Sequence, residues 1–433
     1  MKIILRHAQN GHDISITHKG LGLCAGLLLL LCSLALKAQP LSVFVLQSED
    51  VHPAIKSARS TVQEAQAGLQ GAKKQYWPTP SVTLEQVNPS SADPAYGGRG
   101  NSHIYRLQQP LWTWGRISAG VDKAQLQGDT AEAHVLEVRQ QVAFDTVQAW
   151  IEWTGAGEKA AVVERSLTKY IGLRDLVERR IESGASAPAE RSTTLARLGQ
   201  AQVQLTAFRT AQAMAQAKLQ QLSGLAAQAS PVLSSPDPSM VMPSLQDVLD
   251  FSPVLKKSQL QIELAQADVR VRRAQGYPEA YARMEHQRYP AGQNAHRVFV
   301  GVQSNFGAGL SNLDEVAALE QRITSLREDA TAKKMEVTQQ YTSQNLSLQQ
   351  SLQSMPALQA NVDSNTESLA SMERQFLTGR RSWIDVLNAV RELTQAELDL
   401  VDAKLMIWRA QWQLSLLAMP VSEVPRFFEK TGS

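Results

Sequence analysis

Cysteine is almost missing from this chain of 433 residues: there are two, Cys24 and Cys32, both within the first 38 positions. A chain beginning at Gln39 has none, which excludes a disulfide framework, a thiol nucleophile and a thiolate metal site. Aromatic residues make up 6%, few for a compact enzyme core. Long stretches lack both glycine and proline, which points to extended helices. An excess of either charge is lacking too. Removing residues 1–38 takes four basic side chains and one acid from totals of 43 and 41, leaving 39 against 40. That balance argues against a nucleic-acid partner, which calls for a clearly basic domain. No apolar run after Leu36 approaches spanning length, so any membrane crossing falls to strands, because lipid admits only helices and closed barrels.

Catalytic constellations are also missing. The histidines after the first segment, His52, His103, His134, His286 and His296, show no metal-ligand spacing in sequence. Gly97-Gly98-Arg99-Gly100 has the composition of a phosphate loop but lies between two strands with no helix following, so it reads as a surface loop. No nucleophile elbow or paired carboxylates are present. The expectation is a non-enzyme without cofactor or metal.

What is there begins with a secretory signal over 1–38. A basic region (Lys2, Arg6, Lys19) precedes an apolar run from Leu21 to Leu36, and Leu36-Lys37-Ala38 offers a small residue for cleavage. A membrane anchor is the alternative, but the run is shorter than the roughly 20 residues a spanning helix needs. Lipid modification at Cys32 is disfavoured by Leu31, where a small residue is expected.

The rest of the chain is a duplication. His52-Pro53-Ala54-Ile55-Lys56-Ser57 aligns with Ser252-Pro253-Val254-Leu255-Lys256-Lys257 at an offset of 200, which also carries Tyr76-Trp77-Pro78 onto Gly276-Tyr277-Pro278 and Glu85 onto Glu285. Past the next loop the offset is 195, placing Arg179 on Arg374, Gly184 on Gly379 and Leu222 on Leu417. The first repeat is assigned to 39–224, a Pro/Ser-rich linker to 225–244, the second repeat to 245–419 and a tail to 420–433. Each unit reads as helix, strand, loop, strand, very long helix, break and helix.

Helical pattern covers 48–75 and 245–275, ending before Trp77-Pro78 and Tyr277-Pro278. Strands follow at Ser81–Val87 and His103–Gln109 in the first hairpin (about 81–109), and at Ala280–Gln287 and Arg297–Gln303 in the second (about 279–306). Val82 and Leu84, Ala282 and Met284, and Val298, Val300 and Val302 each fall on one face at period two. That alternation suits a barrel wall between lipid and water; a soluble hairpin with one buried face is the alternative. Helix then runs from about Gly115 to Glu182 and from Leu313 to Thr378, each roughly 100 Å at about 1.5 Å per residue, with Pro356 placed to kink the second. The returning helices carry seams spaced alternately by three and four: Leu198, Ala201, Leu205, Phe208, Gln212 (the one polar member), Ala215, Leu219 and Leu222, matched by Leu393, Ala396, Leu400, Ala403, Ile407, Ala410, Leu414 and Leu417. Trp112, Trp114 and Tyr105 are placed for an interfacial belt or, for Trp114, for the narrowing below the barrel. Four strands cannot close a barrel without leaving edges in lipid, so if the strands enter a bilayer several copies must combine.

The segment Arg374-Gln375-Phe376-Leu377-Thr378-Gly379-Arg380-Arg381-Ser382-Trp383-Ile384-Asp385-Val386-Leu387-Asn388-Ala389 resembles the hallmark of TolC-type outer-membrane export channels, with Arg179 to Ala196 as its weaker first copy. The resemblance covers essentially the whole chain after the signal. It implies a mainly α fold with a transmembrane β-barrel: a homotrimer whose twelve-stranded barrel continues into a long periplasmic α-helical barrel. It implies partners as well: outer-membrane lipid, a periplasmic adaptor protein, and an inner-membrane transporter of the ABC or RND type that supplies the energy. By the same resemblance, Gly184-Ala185-Ser186 and Gly379-Arg380 with Arg381 are tip turns for adaptor docking. Asp385 stands where the family places a constricting acidic ring. Asn388 replaces a second acid, which departs from a double carboxylate ring, and Arg381 and Glu190 sit where neighbouring helices are tied shut. Met419 stands where the first repeat has Gly224, a departure at the end of the last helix.

Without the resemblance, Asp385 is an acid in a first helical turn, which the macrodipole favours anyway, and Arg381 and Glu190 are ordinary solvated charges. Three functions compete. Type I protein secretion, of an adhesin for example, is slightly favoured by the Arg380-Arg381-Ser382-Trp383 turn and the Glu/Leu-rich helix after it. Small-molecule efflux and a pore-free periplasmic coiled-coil scaffold are the alternatives.

Overall fold

The structure is a computed structural model that describes residues 40–88, 100–227, 240–290, 292, 294–304 and 307–424. The secretory segment, Gly97-Gly98-Arg99, most of the 225–244 linker and the end of the 420–433 tail lie outside the described residues.

The chain forms α1 (Leu41–Val51), α2 (Pro53–Lys74), β1 (Thr79–Val87), β2 (Gly100–Trp112), α3 (Arg116–Glu182), α4 (Pro188–Ser223), α5 (Leu245–Phe251), α6 (Pro253–Gln275), β3 (Glu279–Arg288), β4 (Asn294–Gln303), α7 (Ser311–Leu377) and α8 (Trp383–Ala418). The duplication gives the long helices of the two repeats equal lengths. α3 and α7 are both 67 residues, and α4 and α8 are both 36.

The expected bounds of the shorter helices and of the strands need correcting. The helices expected over 48–75 and 245–275 are each broken in two, because Pro53 and Pro253 take the first position of a new helix, where a missing N–H costs nothing and the fixed φ suits the start. The preceding His52 and Ser252 leave helical geometry and cap it. Pro356, conversely, lies inside a continuous α7; the rest of so long a ladder outweighs one missing hydrogen bond. The strands also run longer than read, since Pro80 and Pro110 are accommodated at an edge and beside a register shift, positions where proline removes little.

The four strands make one antiparallel sheet in the order β1-β2-β3-β4. Pairing β2 with β3 joins the two repeats, while β1 and β4 each keep one free edge. Cross-strand partners such as Pro80, Leu107, Met284 and Val298 share a face. On that face Val82, Leu84, Met284, Val298, Val300 and Val302 are all exposed, Val300 to 78%.

The helices pack lengthwise. α6 lies along the sheet-proximal part of α3, joined by Lys123–Asp268 at 2.5 Å and Lys257–Glu137 at 2.6 Å. α4 returns along the distal part, joined by Arg191–Glu178 at 2.5 Å and by Arg209–Glu164. α3 also meets α8 through Lys159–Asp402 at 2.5 Å. The seam residues Ala201, Leu205, Ala215 and Leu219 are buried, as are Ala396, Leu400, Ala403, Ile407, Ala410, Leu414 and Leu417. One buried cluster holds Phe44 of α1, which meets Trp153 edge-on, together with Leu405, Trp412 and Leu416. α7 is the exception, burying only Val337, Leu348, Ser351, Leu369 and Phe376. Among the described residues no helix is long and apolar enough to cross a membrane.

Candidate functional site

The end of the helices away from the sheet is built from two turns of one design. Arg180, Ile181, Gln375 and Phe376 end their helices with carbonyls that have no further helical donor. In the first turn Gly184 N–H donates to Ile181 at 3.0 Å and Ala185 N–H to Arg180 at 2.7 Å; in the second Gly379 donates to Phe376 at 3.0 Å and Arg380 to Gln375 at 2.9 Å. This is the paired Schellman closure, and it needs the left-handed φ of 74° at Gly184 and 73° at Gly379. Each chain then enters the returning helix within four residues. α4 starts at Pro188; α8 starts after Ser382, whose Oγ accepts from Asp385 N–H while the Asp385 carboxylate accepts from Ser382 N–H. Such a reciprocal cap contributes about 1 kcal/mol.

The residues picked out in sequence fall at this end. Gly184, Ala185, Gly379, Arg380 and Arg381 are exposed, and Ser186, Glu190, Asp385 and Asn388 are half-buried. The structure brings Arg381 to Asp385 at 4.0 Å and to Gln375 Oε1 at 3.3 Å, so within one chain Arg381 turns to its own hairpin and not to Glu190. Glu190 sits in the first turn of α4, and its Oε2 is buried without a hydrogen-bond partner among the described residues. Asp385 is engaged in its cap, and Asn388 lies one turn further along α8.

A clamp between the two hairpins escaped the sequence reading. Trp383 Nε1 donates to Thr194 Oγ1 at 2.7 Å, in a buried position. Its ring packs on Phe376 at 4.8 Å, and the Arg180 guanidinium lies 4.7 Å from the Phe376 ring centre. The available signal was a tryptophan at a helix start in an aromatic-poor chain. At the other end, strand pairing stacks His286 on His296 at 4.4 Å and Tyr105 on His286 at 6.0 Å, a neighbourhood that linear spacing conceals. Trp114 adopts φ 50° and packs between Trp112 and Tyr277 at the strand–helix junction. The two returning helices end differently, with Gly224 left-handed and Met419 extended, since a methionine avoids the left-handed cap.

The family model for outer membrane efflux proteins matches residues 47–225 and again 244–418. The chain belongs to the outer membrane efflux protein family. A curated relative is the cobalt-zinc-cadmium resistance protein CzcC of Cupriavidus metallidurans, 24% identical over 301 residues, which are 68% of this chain and 71% of that protein. Among solved structures, CusC superposes with a TM-score of 0.76 at 15% identity, over 89% of this chain and 95% of its own. The outer membrane protein VceC of Vibrio cholerae gives 0.73 at 16%, over 88% and 95%. A membrane protein from Pseudomonas aeruginosa gives 0.77 at 17%, over 87% and 90%. The TolC-type reading is therefore established, as is the architecture: a β-barrel in the outer membrane with a long helical extension into the periplasm. The four-stranded sheet is this chain's share of the barrel. Members of the family are passive channels that work with periplasmic adaptors and inner-membrane transporters.

Proposed function

We propose that three copies of the chain form the exit duct of a tripartite efflux machine, carrying small solutes handed over by an inner-membrane transporter through a periplasmic adaptor. The observation behind this is the sheet: four strands with an exposed apolar face and two free edges, which lipid does not tolerate unless further copies supply partners. Three chains give the twelve-stranded closure that the family resemblance implies. The sparsely buried α7 supports the same reading. Leu313, Met335 and Leu346 stand exposed along it, a surface suited to a neighbouring copy.

The tip residues take proposed roles from this arrangement. Gly184, Ala185, Ser186, Gly379 and Arg380 form two exposed turns of matching geometry, suited to an adaptor that meets both. Asp385, Asn388, Arg381 and Glu190 form the periplasmic constriction, and the unsatisfied Glu190 Oε2 leaves room for a donor from an adjacent helix. Substituting Asp385→Ala should change cation block of the closed pore; unaltered conductance and ion response would remove Asp385 from the gate.

The leaning toward protein secretion drawn from the Arg380-Arg381-Ser382-Trp383 turn finds no support in the relatives, whose curated member is a resistance protein. Efflux of small solutes is the reading we adopt, with the transporter expected to be of the ABC or RND type. Deleting the gene in its native host tests it. Sensitivity to drugs should rise while secreted proteins stay normal. Loss of one large secreted protein with unchanged sensitivity would restore the secretion reading.

A further inference from the structure

The face of the sheet opposite the apolar one carries three arginines, Arg106, Arg283 and Arg297, and three acids, Glu85, Glu279 and Glu285, with the arginines gathered about one acid. Ser81, Arg106, Glu285 and Arg297 form one cross-strand row, and Thr79, Gln108, Arg283 and Phe299 form the row two residues nearer the helices. Glu285 is the hub, its side chain only 9% exposed. Arg106 Nε donates to it at 3.2 Å; Arg297 Nη1 lies 3.7 Å away and Arg283 Nε 3.9 Å away. Three guanidinium groups thus share one carboxylate, leaving two positive charges uncompensated at this level of the strands.

The cluster is built, not loose. Arg297 also donates to Gln287 Oε1 at 3.1 Å and to the Tyr289 hydroxyl at 2.7 Å. Gln287, itself buried, donates to Ser102 Oγ at 3.1 Å. Arg283 lies over the Phe299 ring at 4.7 Å and the Tyr281 ring at 5.7 Å, and its Nε is buried with no hydrogen-bond partner among the described residues. Two further acids share this face, and neither forms an ion pair with these arginines among the described residues. Glu279 is taken by Arg116 at 2.9 Å. Glu85 stands four residues up β1 from Ser81, about 13 Å away at about 3.3 Å per residue.

In a barrel the apolar face meets lipid, so this face lines the bore. We infer that Arg106, Arg283 and Arg297, held around Glu285, form a positive ring inside the barrel that makes the exit selective for anionic solutes. This rests on the proposed duct and names the class of solute it favours. Carboxylate-, sulfate- or phosphate-bearing molecules find planar guanidinium donors there, while free divalent cations are repelled. Repeated by each copy, the ring gives six uncompensated positive charges in a trimer, facing a water-filled passage with low-dielectric walls, a geometry that concentrates counter-ions.

Reversal potentials of the full-length mature protein in planar bilayers under a KCl gradient test this. At low salt chloride should pass more readily than potassium by a factor on the order of 10, and the ratio should fall toward unity near 1 M, where screening acts within about 3 Å. Glu285→Gln should raise the ratio, and the combined Arg106→Gln, Arg283→Gln, Arg297→Gln variant should bring it to unity or below. Should the combined variant fail to assemble, Arg283→Gln alone should lower the ratio part-way, because its Nε holds no hydrogen bond that the sheet needs. A conducting wild type without anion preference overturns the ring and leaves the duct standing, as does an arginine variant with the wild-type ratio. A preparation that never conducts overturns the duct and the ring with it.

Discussion

At Gly155 the side chain is missing because another occupies its place: a Cβ there would overlap the Leu405 methyls, so α3 and α8 approach over this one position. Gly155→Val should therefore lower the thermal midpoint, by an overpacking cost of about 1–3 kcal/mol, which thermal melts of the detergent-solubilised protein would read. Gly184 and Gly379 have open space around a Cβ, so their substitution acts only through the left-handed backbone. The Trp383–Thr194 bond makes an asymmetric prediction. Thr194→Ser keeps a hydroxyl that can accept from the indole and donate to the Glu190 carbonyl, as Thr194 does at 2.7 Å, at the cost of one buried methyl, about 1 kcal/mol. Thr194→Val leaves a buried indole N–H without its acceptor and should cost more, about 1–3 kcal/mol. Denaturant titration of the two variants gives the order; a reversed order would remove the bond from the clamp.

Between elements, the contact of α3 with α6 depends on pH. Burial pushes the Glu137 carboxyl upward, but hydrogen bonds from Lys257 and His134, with their charges, outweigh it and hold the group below its ordinary value. A depressed carboxylate stabilises the fold above its unfolded value, about 4.3, and the contribution is lost as pH falls through the depressed one. Wild type should thus be more stable than Glu137→Gln at neutral pH by about 0.5–1 kcal/mol, since solvent screens this half-buried pair. The difference should vanish toward the acid end of that window; a gap that persists there would mean Glu137 acts through packing. The elements themselves were legible where a period recurs. The heptad seams of α4 and α8 and the Val298, Val300, Val302 alternation are visible in the chain and reappear as buried and exposed faces. What stayed hidden depends on pairing across distance. Neither Glu285 among three arginines nor His286 on His296 has a local signature, because strand register creates both. The breaks at Pro53 and Pro253 were present as residues, but the helical period runs through them unchanged.

For the whole molecule, the unfinished surfaces define the account. A single chain leaves two sheet edges open, a face of valines exposed and most of α7 uncovered. The duplication lets each chain supply two similar staves, so three chains approximate sixfold packing while differing at the tips, where Gly379-Arg380-Arg381 with Asp385 follows one hairpin and Gly184-Ala185-Ser186 with Glu190 the other. The measurement that bears most directly on this is single-channel recording from the purified protein in a planar lipid bilayer. Discrete conductance steps from a particle with the mass of three chains are the predicted result. A detergent-stable monomer, or a membrane-inserted particle that never conducts, would contradict it.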